Sequence, residues 1–186
     1  MITIDEKSLK RAEALFKSFP NALPKAISRA MNRAVQSART AGVKQVRSEY
    51  IVKAKDVNGT IKVTKASPSS LVSKITSRGR SKPLIEFKVS PNKAPSGKPK
   101  RPVTVKVKKS GGGIIEGAFL ARGKKGVSVF RRISKSAYPI KQLQGPSVPQ
   151  MLGNKKVIKV MEKRGAEQLQ TRFEHEVDAT LGGVLK

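Results

Sequence analysis

The feature that most constrains the fold is a change in hydrophobic period, from about 3.6 residues to 2 near Tyr50 and back again near Asn154. Up to Tyr50, apolar residues recur at the spacing of one face of a helix. Beyond it, short segments alternate apolar and polar residues and are rich in β-branched side chains, which indicates half-buried strands. The chain is therefore predicted to be α+β, an antiparallel β-barrel or sandwich flanked by a long N-terminal helix and a C-terminal helix.

Three helices are predicted near the two ends of the chain. Residues 5–18 carry one apolar face and form the first. Asn21 is placed to cap the second, which runs to Tyr50. The third is predicted over residues 155–181, where Gly165 costs about 1 kcal/mol relative to alanine.

The apolar stripe of the second predicted helix is rich in alanine, which lets a partner element approach closely. Two interpretations follow, an ordinary core helix or a contact between subunits. The alanines concerned are Ala30, Ala34 and Ala38, and Phe119 in a later hairpin is a further candidate for packing between subunits.

The predicted strands lie in the middle of the chain. Four segments alternate with period two, namely TIKVTKA, LVSKITSR, LIEFKVS and VTVKVKK. In the last of them, one face is predicted to carry Val103, Val105 and Val107 and the opposite face Thr104, Lys106 and Lys108. Residues 114–132, IIEGAFLARGKKGVSVFRR, are predicted to form a β-hairpin around a Gly-Lys-Lys-Gly turn.

The chain is interpreted as a single domain, residues 1–186. It comprises a helical N-terminal part over residues 1–50, a β core over residues 51–147 and a helical C-terminal part over residues 148–186. Within the β core, residues 91–102 (PNKAPSGKPKRP) hold four prolines, four basic residues and no large apolar side chain. We expect an exposed loop, or an arm that orders on contact with a partner.

The charge of the chain predicts polyanionic partners. It holds 40 Lys and Arg against 12 Asp and Glu, a formal net charge of +28. Between residues 57 and 161 there are 24 basic side chains and only two acids, Glu86 and Glu116. Such an excess favours contact with nucleic acid or with an acidic protein surface. The candidate contact residues are Lys98, Lys100, Arg101, Lys106, Lys108, Lys109, Lys124, Lys125, Arg131 and Arg132.

The residue types that most enzymes use are scarce. There is no cysteine, and the one histidine, His175, lies between two glutamates on a predicted helix, where a solvated position is expected. The glycine-rich segment SGGGIIEG leads into a predicted strand, so no helix N-terminus is expected to cradle a phosphate there. We therefore predict a protein that is not an enzyme, with no cofactor, no metal site and no small-molecule substrate.

Contact with a membrane is not expected either. No stretch approaches the ~20 apolar residues of a membrane span. The first residues, MITIDEKSLK, lack the apolar centre of a signal peptide. The expectation is a product that stays in the cytoplasm of the cell that makes it.

Three segments in succession carry a resemblance to a known family. They are AISRAMNRAVQSARTAGVKQVRSEYIVKAKDV, IEGAFLARGKKGVSVFRR, and YPIKQLQGPSVPQML leading into the last helix. Together they resemble the minor tail protein Z family, the tail-completion proteins of long-tailed, lambda-like bacteriophages. The family has no catalytic residues to carry over.

The resemblance implies a structural virion protein at the head-proximal end of the tail, which assembles in the host cytoplasm. Its implied neighbours are the tail tube, the tail terminator or the head-completion proteins. Because the tail has six-fold symmetry, a homo-hexameric ring is expected, since head-to-tail contacts can close such rings. Such a ring would lie near the end of the genomic DNA, and any DNA contact is expected to be directed to phosphates and blind to sequence.

Two alternatives stay open at this point. One is a different neck component, such as a head-completion or tail terminator protein. The other is a free nucleic-acid-binding protein without sequence specificity, for which the charge is the one argument.

Overall fold

The computed structural model describes residues 2–19, 21–94, 101–123 and 126–184. Backbone contacts divide the chain into two compact units. The helical unit comprises Met1–Gln45, Ile61–Ser77 and Leu152–Lys186, and the sheet unit comprises Val46–Thr60 and Arg78–Met151. The interpretation of the chain as one domain stays a prediction.

The described residues confirm the α+β class. They form helices α1 (Glu6–Leu15), α2 (Ala22–Glu49), α3 (Ala54–Thr60), α4 (Val148–Leu152) and α5 (Lys155–Val184). The strands are β1 (Ile61–Thr64), β2 (Lys74–Ser77), β3 (Ser81–Pro83), β4 (Lys88–Ser90), β5 (Thr104–Lys108), β6 (Gly111–Ile114), β7 (Ala118–Gly123), β8 (Gly126–Arg132), β9 (Ile140–Gln142) and β10 (Gln144–Ser147). A 3₁₀ turn covers Leu84–Glu86.

The predicted barrel or sandwich is not confirmed. Within the described ranges the strands form four small antiparallel sheets, and none of them closes into a barrel. The sheet orders are β1-β2, β10-β3, β4-β5-β6 and β7-β8-β9. The predicted β core over residues 51–147 also contains the unpredicted helix α3, and the segment LIEFKVS begins with the 3₁₀ turn rather than with a strand.

Helices α2 and α5 pack antiparallel in the helical unit. Near the start of α2, Arg29 lies 3.8 Å from Glu176 in the last part of α5. Further along α2, a Cβ on Gly42 would lie 2.6 Å from the Sδ of Met161, in the first part of α5. The contact partners on α5 therefore move backwards as α2 advances. Glycine at the crossing lets the helices approach to a distance that a larger side chain would prevent.

Gly165 has the same role on the other helix. It is buried, and a Cβ there would lie 2.6 Å from the Cδ1 of Ile2 and 3.4 Å from the Cβ of Ala38. The helix continues through this position without a break. The propensity cost of glycine, about 1 kcal/mol, is thus offset by close packing of α2, α5 and the N-terminal residues.

The alanine stripe of α2 lies inside the helical unit. Ala30 and Ala34 belong to a core cluster that includes Phe16, Leu169 and Phe173. Ala38 is buried as well. These side chains thus face the interior of the chain, as the interpretation of α2 as a core helix requires, and a subunit contact through α2 stays a prediction.

A side chain of α2 also holds the β1–β2 hairpin. The Asn32 amide donates from Nδ2 to the carbonyl of Ala66 at 2.9 Å, and its Oδ1 accepts from the Ala66 N–H at 2.8 Å. Ala66 is buried, so both of its backbone groups depend on this one side chain for their hydrogen bonds.

The hairpin predicted near the centre of the chain is confirmed in the sheet unit. Strands β7 and β8 pair antiparallel with Leu120 opposite Val129, and both of these side chains are buried. The VTVKVKK segment also behaves as predicted in part. Val103 and Val105 are buried and Lys108 is exposed, and the rest of the alternation is weaker.

Candidate basic contact surface

The sheet unit carries most of the excess charge. It holds 21 Lys and Arg against the four acids Glu49, Asp56, Glu86 and Glu116, a formal net charge of +17. The helical unit holds the other 19 basic and 8 acidic side chains. The predicted concentration of positive charge in the middle of the chain therefore coincides largely with one compact unit.

The structure places six of the ten predicted contact residues. These six side chains are exposed or half-exposed: Arg101, Lys106, Lys108, Lys109, Arg131 and Arg132. Lys98, Lys100, Lys124 and Lys125 lie outside the described residues, as do residues 95–100, half of the predicted loop over residues 91–102. All six described positions belong to the sheet unit.

Strand pairing sets like charges opposite each other at two places. Lys88 on β4 is the direct partner of Lys106 on β5. Arg131 on β8 is the direct partner of Lys141 on β9. Like charges directly opposite on one face of a sheet are destabilising. Neither Lys88 nor Lys141 was predicted as a contact residue, because the strand register that makes them partners appears only in the folded sheet.

Two of the cations lie over aromatic rings. The Nζ of Lys108 lies 5.8 Å from the ring centroid of Tyr50. The guanidinium carbon of Arg132 lies 5.6 Å from the ring centroid of Phe119, which in turn lies 6.3 Å from that of Phe130. Such contacts fix the direction of a charged side chain. Phe119, predicted as a candidate for subunit packing, is half-buried among residues of its own sheet.

The connection between β8 and β9 exposes two large apolar side chains. Ile133 is 64% exposed and Tyr138 is 76% exposed. The Ile133 N–H donates to the carbonyl of Pro139 at 3.2 Å, which closes the base of this loop. Exposed apolar side chains beside Arg131 and Arg132 are typical of a contact surface, because aromatic residues and arginine are enriched at interfaces.

Two of the four acids of the sheet unit are already engaged elsewhere. The Nζ of Lys82 lies 3.1 Å from Oδ2 of Asp56 and 2.5 Å from Oε2 of Glu86. Burial alone would lower the pKa of Lys82, but hydrogen bonds to Glu86 and Asp56 outweigh it and raise the pKa above its ordinary value of 10.5. These two carboxylates are thus taken up by one lysine.

The four cations of the two strand pairs have no acidic partner among the residues that the structure describes. Among the described residues, no carboxylate lies within 4.0 Å of the charged groups of Lys88, Lys106, Arg131 or Lys141. Here we call Lys88, Lys106, Lys108, Lys109, Arg131, Arg132 and Lys141 the basic strand residues. Their arrangement suits neutralisation by phosphates or by carboxylates of another molecule.

Other kinds of site are less evident in the part of the chain that the structure describes. There, no three His, Asp or Glu side chains come together as a metal site. His175 is exposed on α5, as its neighbours in sequence predicted. Over the same residues, each helix is too short or too polar to cross a lipid bilayer.

The folded chain is thus an α+β protein with a strongly basic sheet surface suited to anionic partners. Over residues 7–186 it matches the family of the prophage minor tail protein Z, and it belongs to that family. Neither curated proteins nor solved structures gave a match.

Membership in this family defines the kind of protein. It is a structural protein of a bacteriophage tail, located in the virion, and it contacts other components of the tail. The family match spans both the helical unit and the sheet unit.

Proposed function

We propose that the protein completes the tail at its head-proximal end, as a homo-hexameric ring near the end of the genomic DNA. Its neighbours in this proposal are the tail tube and the tail terminator or head-completion proteins. Family membership supports a place in the tail over a free nucleic-acid-binding protein. The observation that carries the contact is the pairing of Lys88 with Lys106 and of Arg131 with Lys141, without described acidic partners.

The energetic argument is that the counter-charge comes from outside the subunit. Each like-charge pair destabilises the sheet that contains it. A ring of six copies at +28 each would multiply the repulsion. DNA phosphates, or carboxylates of neighbouring proteins, remove this cost when they bind. We favour DNA, because the end of the genome would lie within the proposed ring.

The first experiment measures binding to duplex DNA of unrelated sequences between 50 and 200 mM salt. We expect affinities that do not depend on sequence and that fall by roughly tenfold or more over this range, because several phosphates are neutralised. Reversing Lys106, Lys108 and Lys109 to glutamate should weaken binding strongly. A matched control reverses three exposed cations of the helical unit, Lys7, Arg11 and Lys17.

The same binding measurement can also refute the contact with DNA. A flat salt dependence, or no binding at 50 mM salt, would refute the DNA contact and leave acidic neighbouring proteins as the partners. Charge reversal at Lys106, Lys108 and Lys109 should then block the joining of heads and tails in a complementation assay. It should not change the affinity for DNA.

Position and stoichiometry need separate tests. Light scattering of the purified protein, alone and with tail tubes, should detect a hexamer, and a monomer or dimer under both conditions would contradict the ring. Labelling the protein in intact virions should place it at the head-proximal end of the tail. A label at another height in the neck would favour a head-completion or tail terminator role.

The segment over residues 91–102 is part of the same proposal. We expect it to contact a neighbouring protein or DNA, because its prolines and basic residues add little to a core. Its deletion should leave the circular dichroism spectrum of the subunit unchanged while it impairs virion assembly. Loss of the folded spectrum would show instead that the segment is required for folding.

A further inference from the structure

A second basic feature lies in the helical unit, where α2 and α5 border an open groove of about 650 Å³. Five cations line it, Arg33 and Lys44 from α2 and Lys163, Arg164 and Arg172 from α5. One carboxylate, Glu167, lines it as well. The groove is remote in sequence from the basic strand residues and belongs to a different unit.

Most of the positive charge in this groove has no acidic partner in the part of the chain that the structure describes. Glu167 pairs with Arg164 at 3.5 Å. For Arg33, Lys44, Lys163 and Arg172, no carboxylate among the described residues lies within 4.0 Å. Five cations against one acid leave a formal charge of +4 along a single concave surface. Concave surfaces with one sign of charge concentrate the field and attract oppositely charged ligands.

The cations occupy both walls of the groove. Arg33 and Lys44 are 11 residues apart on α2, which corresponds to about 16 Å along the helix axis. Lys163 and Arg172 are nine residues apart on α5, or about 14 Å. Because the two helices run antiparallel, Arg172 lies towards the Arg33 end and Lys163 towards the Lys44 end. Two facing rows of cations therefore extend over about the same length.

The uncharged lining is mostly polar. Four residues with side-chain amides or hydroxyls line the groove, Gln36, Ser37, Thr40 and Gln168. Ser37 Oγ donates to Oε1 of Gln168 at 3.5 Å, which links the two walls. The apolar side chains of the lining are those of Ala41 and Val160. An amphipathic helix from a protein partner would need larger apolar pockets at helical spacing.

We propose that the α2–α5 groove binds the phosphodiester backbone of nucleic acid, independently of base sequence. One DNA strand has a phosphate about every 3.4 Å of axis, so a groove about 15 Å long spans roughly four phosphates of a strand. Cations on both walls face successive phosphates, and the amides and hydroxyls donate to phosphate oxygens. This site goes beyond the basic strand residues and holds whether or not the protein forms a ring.

The test compares two double variants that remove the same charge. Lys163→Gln with Arg172→Gln removes two groove cations, whereas Lys156→Gln with Lys159→Gln removes two exposed cations of the same helix outside the groove. Affinity for a labelled 20-base-pair duplex is measured by fluorescence anisotropy between 50 and 200 mM salt.

For the groove variant we expect the slope of log affinity against log salt to become shallower by about 1.8, since each lost phosphate contact contributes about 0.9. Affinity at 100 mM salt should fall by roughly tenfold to a hundredfold for the same reason. The control variant should change the slope by less than about 0.5.

The outcomes separate this site from the proposed function. The groove variant and the charge reversal at Lys106, Lys108 and Lys109 are assayed on the same duplex. If the salt dependence of affinity becomes shallower in only one of them, DNA binding is assigned to that site alone. If the half-buried Arg172 proves necessary for helix content, Arg33→Gln with Lys163→Gln replaces it, because both of those side chains are exposed.

A groove variant with the slope of the control would overturn the proposal, even if its overall affinity were lower. So would a labelled poly-glutamate peptide whose binding requires Lys163 and Arg172 while DNA binding does not. That second result would assign the groove to an acidic protein segment instead.

Discussion

Gly112 provides the sharpest test of packing in the sheet unit. It is the middle residue of three consecutive glycines in β6, which pairs with β5 across a bulge between Val105 and Lys108. A Cβ on Gly112 would lie 2.8 Å from the carbonyl oxygen of Val105 and from the Cβ of Lys106, and 2.9 Å from the Cα of Lys106. On the neighbouring Gly113, a Cβ would meet nothing within 4 Å.

The expected size of the effect follows from these distances. Non-bonded carbon atoms normally approach to about 3.5–4.0 Å, so the added methyl group is too close by roughly 0.7–1 Å. Two of its three contacts are backbone atoms, which no rotamer change can move. Overpacking of this kind costs about 1–3 kcal/mol. Gly112→Ala should therefore be less stable than the wild type, whereas Gly113→Ala should match it or gain about 0.4–1 kcal/mol through the unfolded state.

The measurement is urea-induced unfolding of both variants, combined with amide hydrogen exchange. The Ile115 N–H donates to the carbonyl of Val103 at 2.9 Å, just beyond β6, and reports on this edge of the sheet. We expect Gly112→Ala to lower the unfolding midpoint or to accelerate exchange at Ile115, and Gly113→Ala to do neither. Equal stability and equal exchange in the two variants would show that β6 does not lie against β5 as described.

Three further predictions concern single side chains. Asn32→Ala should lower the free energy of unfolding by about 2–4 kcal/mol, measured by thermal unfolding, because both buried backbone groups of Ala66 lose their partner. A change below about 0.5 kcal/mol would contradict the stabilising role of these two hydrogen bonds. Lys82→Gln should lower the free energy of unfolding by about 1 kcal/mol at pH 7. Because the pKa of Lys82 is raised in the folded protein, this difference in stability from the wild type should persist up to about pH 10.5 and vanish above it. Urea titrations from pH 7 to 11.5 measure it. Phe173→Ala, at a position 1% exposed in the helical core, should cost about 3–5 kcal/mol in the same assay, and a neutral result would count against that core.

Periodicity predicted the long elements well, because each follows from local spacing. The helix predicted to end at Tyr50 is α2, which ends at Glu49, and the last helix begins at Lys155 as predicted. The hairpin of β7 and β8 also follows from alternation and from the glycines around its turn. In these places local sequence and final structure agree.

Helix α3 was not predicted, because it is too short to show a repeating apolar face. It has seven residues, and Val57 is its one buried side chain among those described. Isolated helices of this length are unstable on their own, so the surrounding structure determines its formation. The alternating segments also gave no information about which strands pair, and the predicted barrel required that information.

The candidate sites were predictable in charge but not in geometry. The excess of cations in the sheet unit follows directly from composition. The partnership of Arg131 with Lys141 depends on strand register, and that of Arg33 with Arg172 in one groove depends on antiparallel packing of helices far apart in sequence. Neither relation leaves a local pattern in the sequence.

The opposed like charges of the small sheets also bear on how the free subunit should be prepared. Dissolved salt screens exposed charges over a Debye length of about 10 Å at 0.1 M and about 3 Å at 1 M. Concentrated salt should therefore relieve the repulsion between Lys88 and Lys106 and keep the purified subunit folded during storage. The same buffers would remove the attraction that recruits a binding partner. Conditions that preserve the isolated protein best are thus the least suited to reconstitution, which should begin with a rapid dilution from high salt.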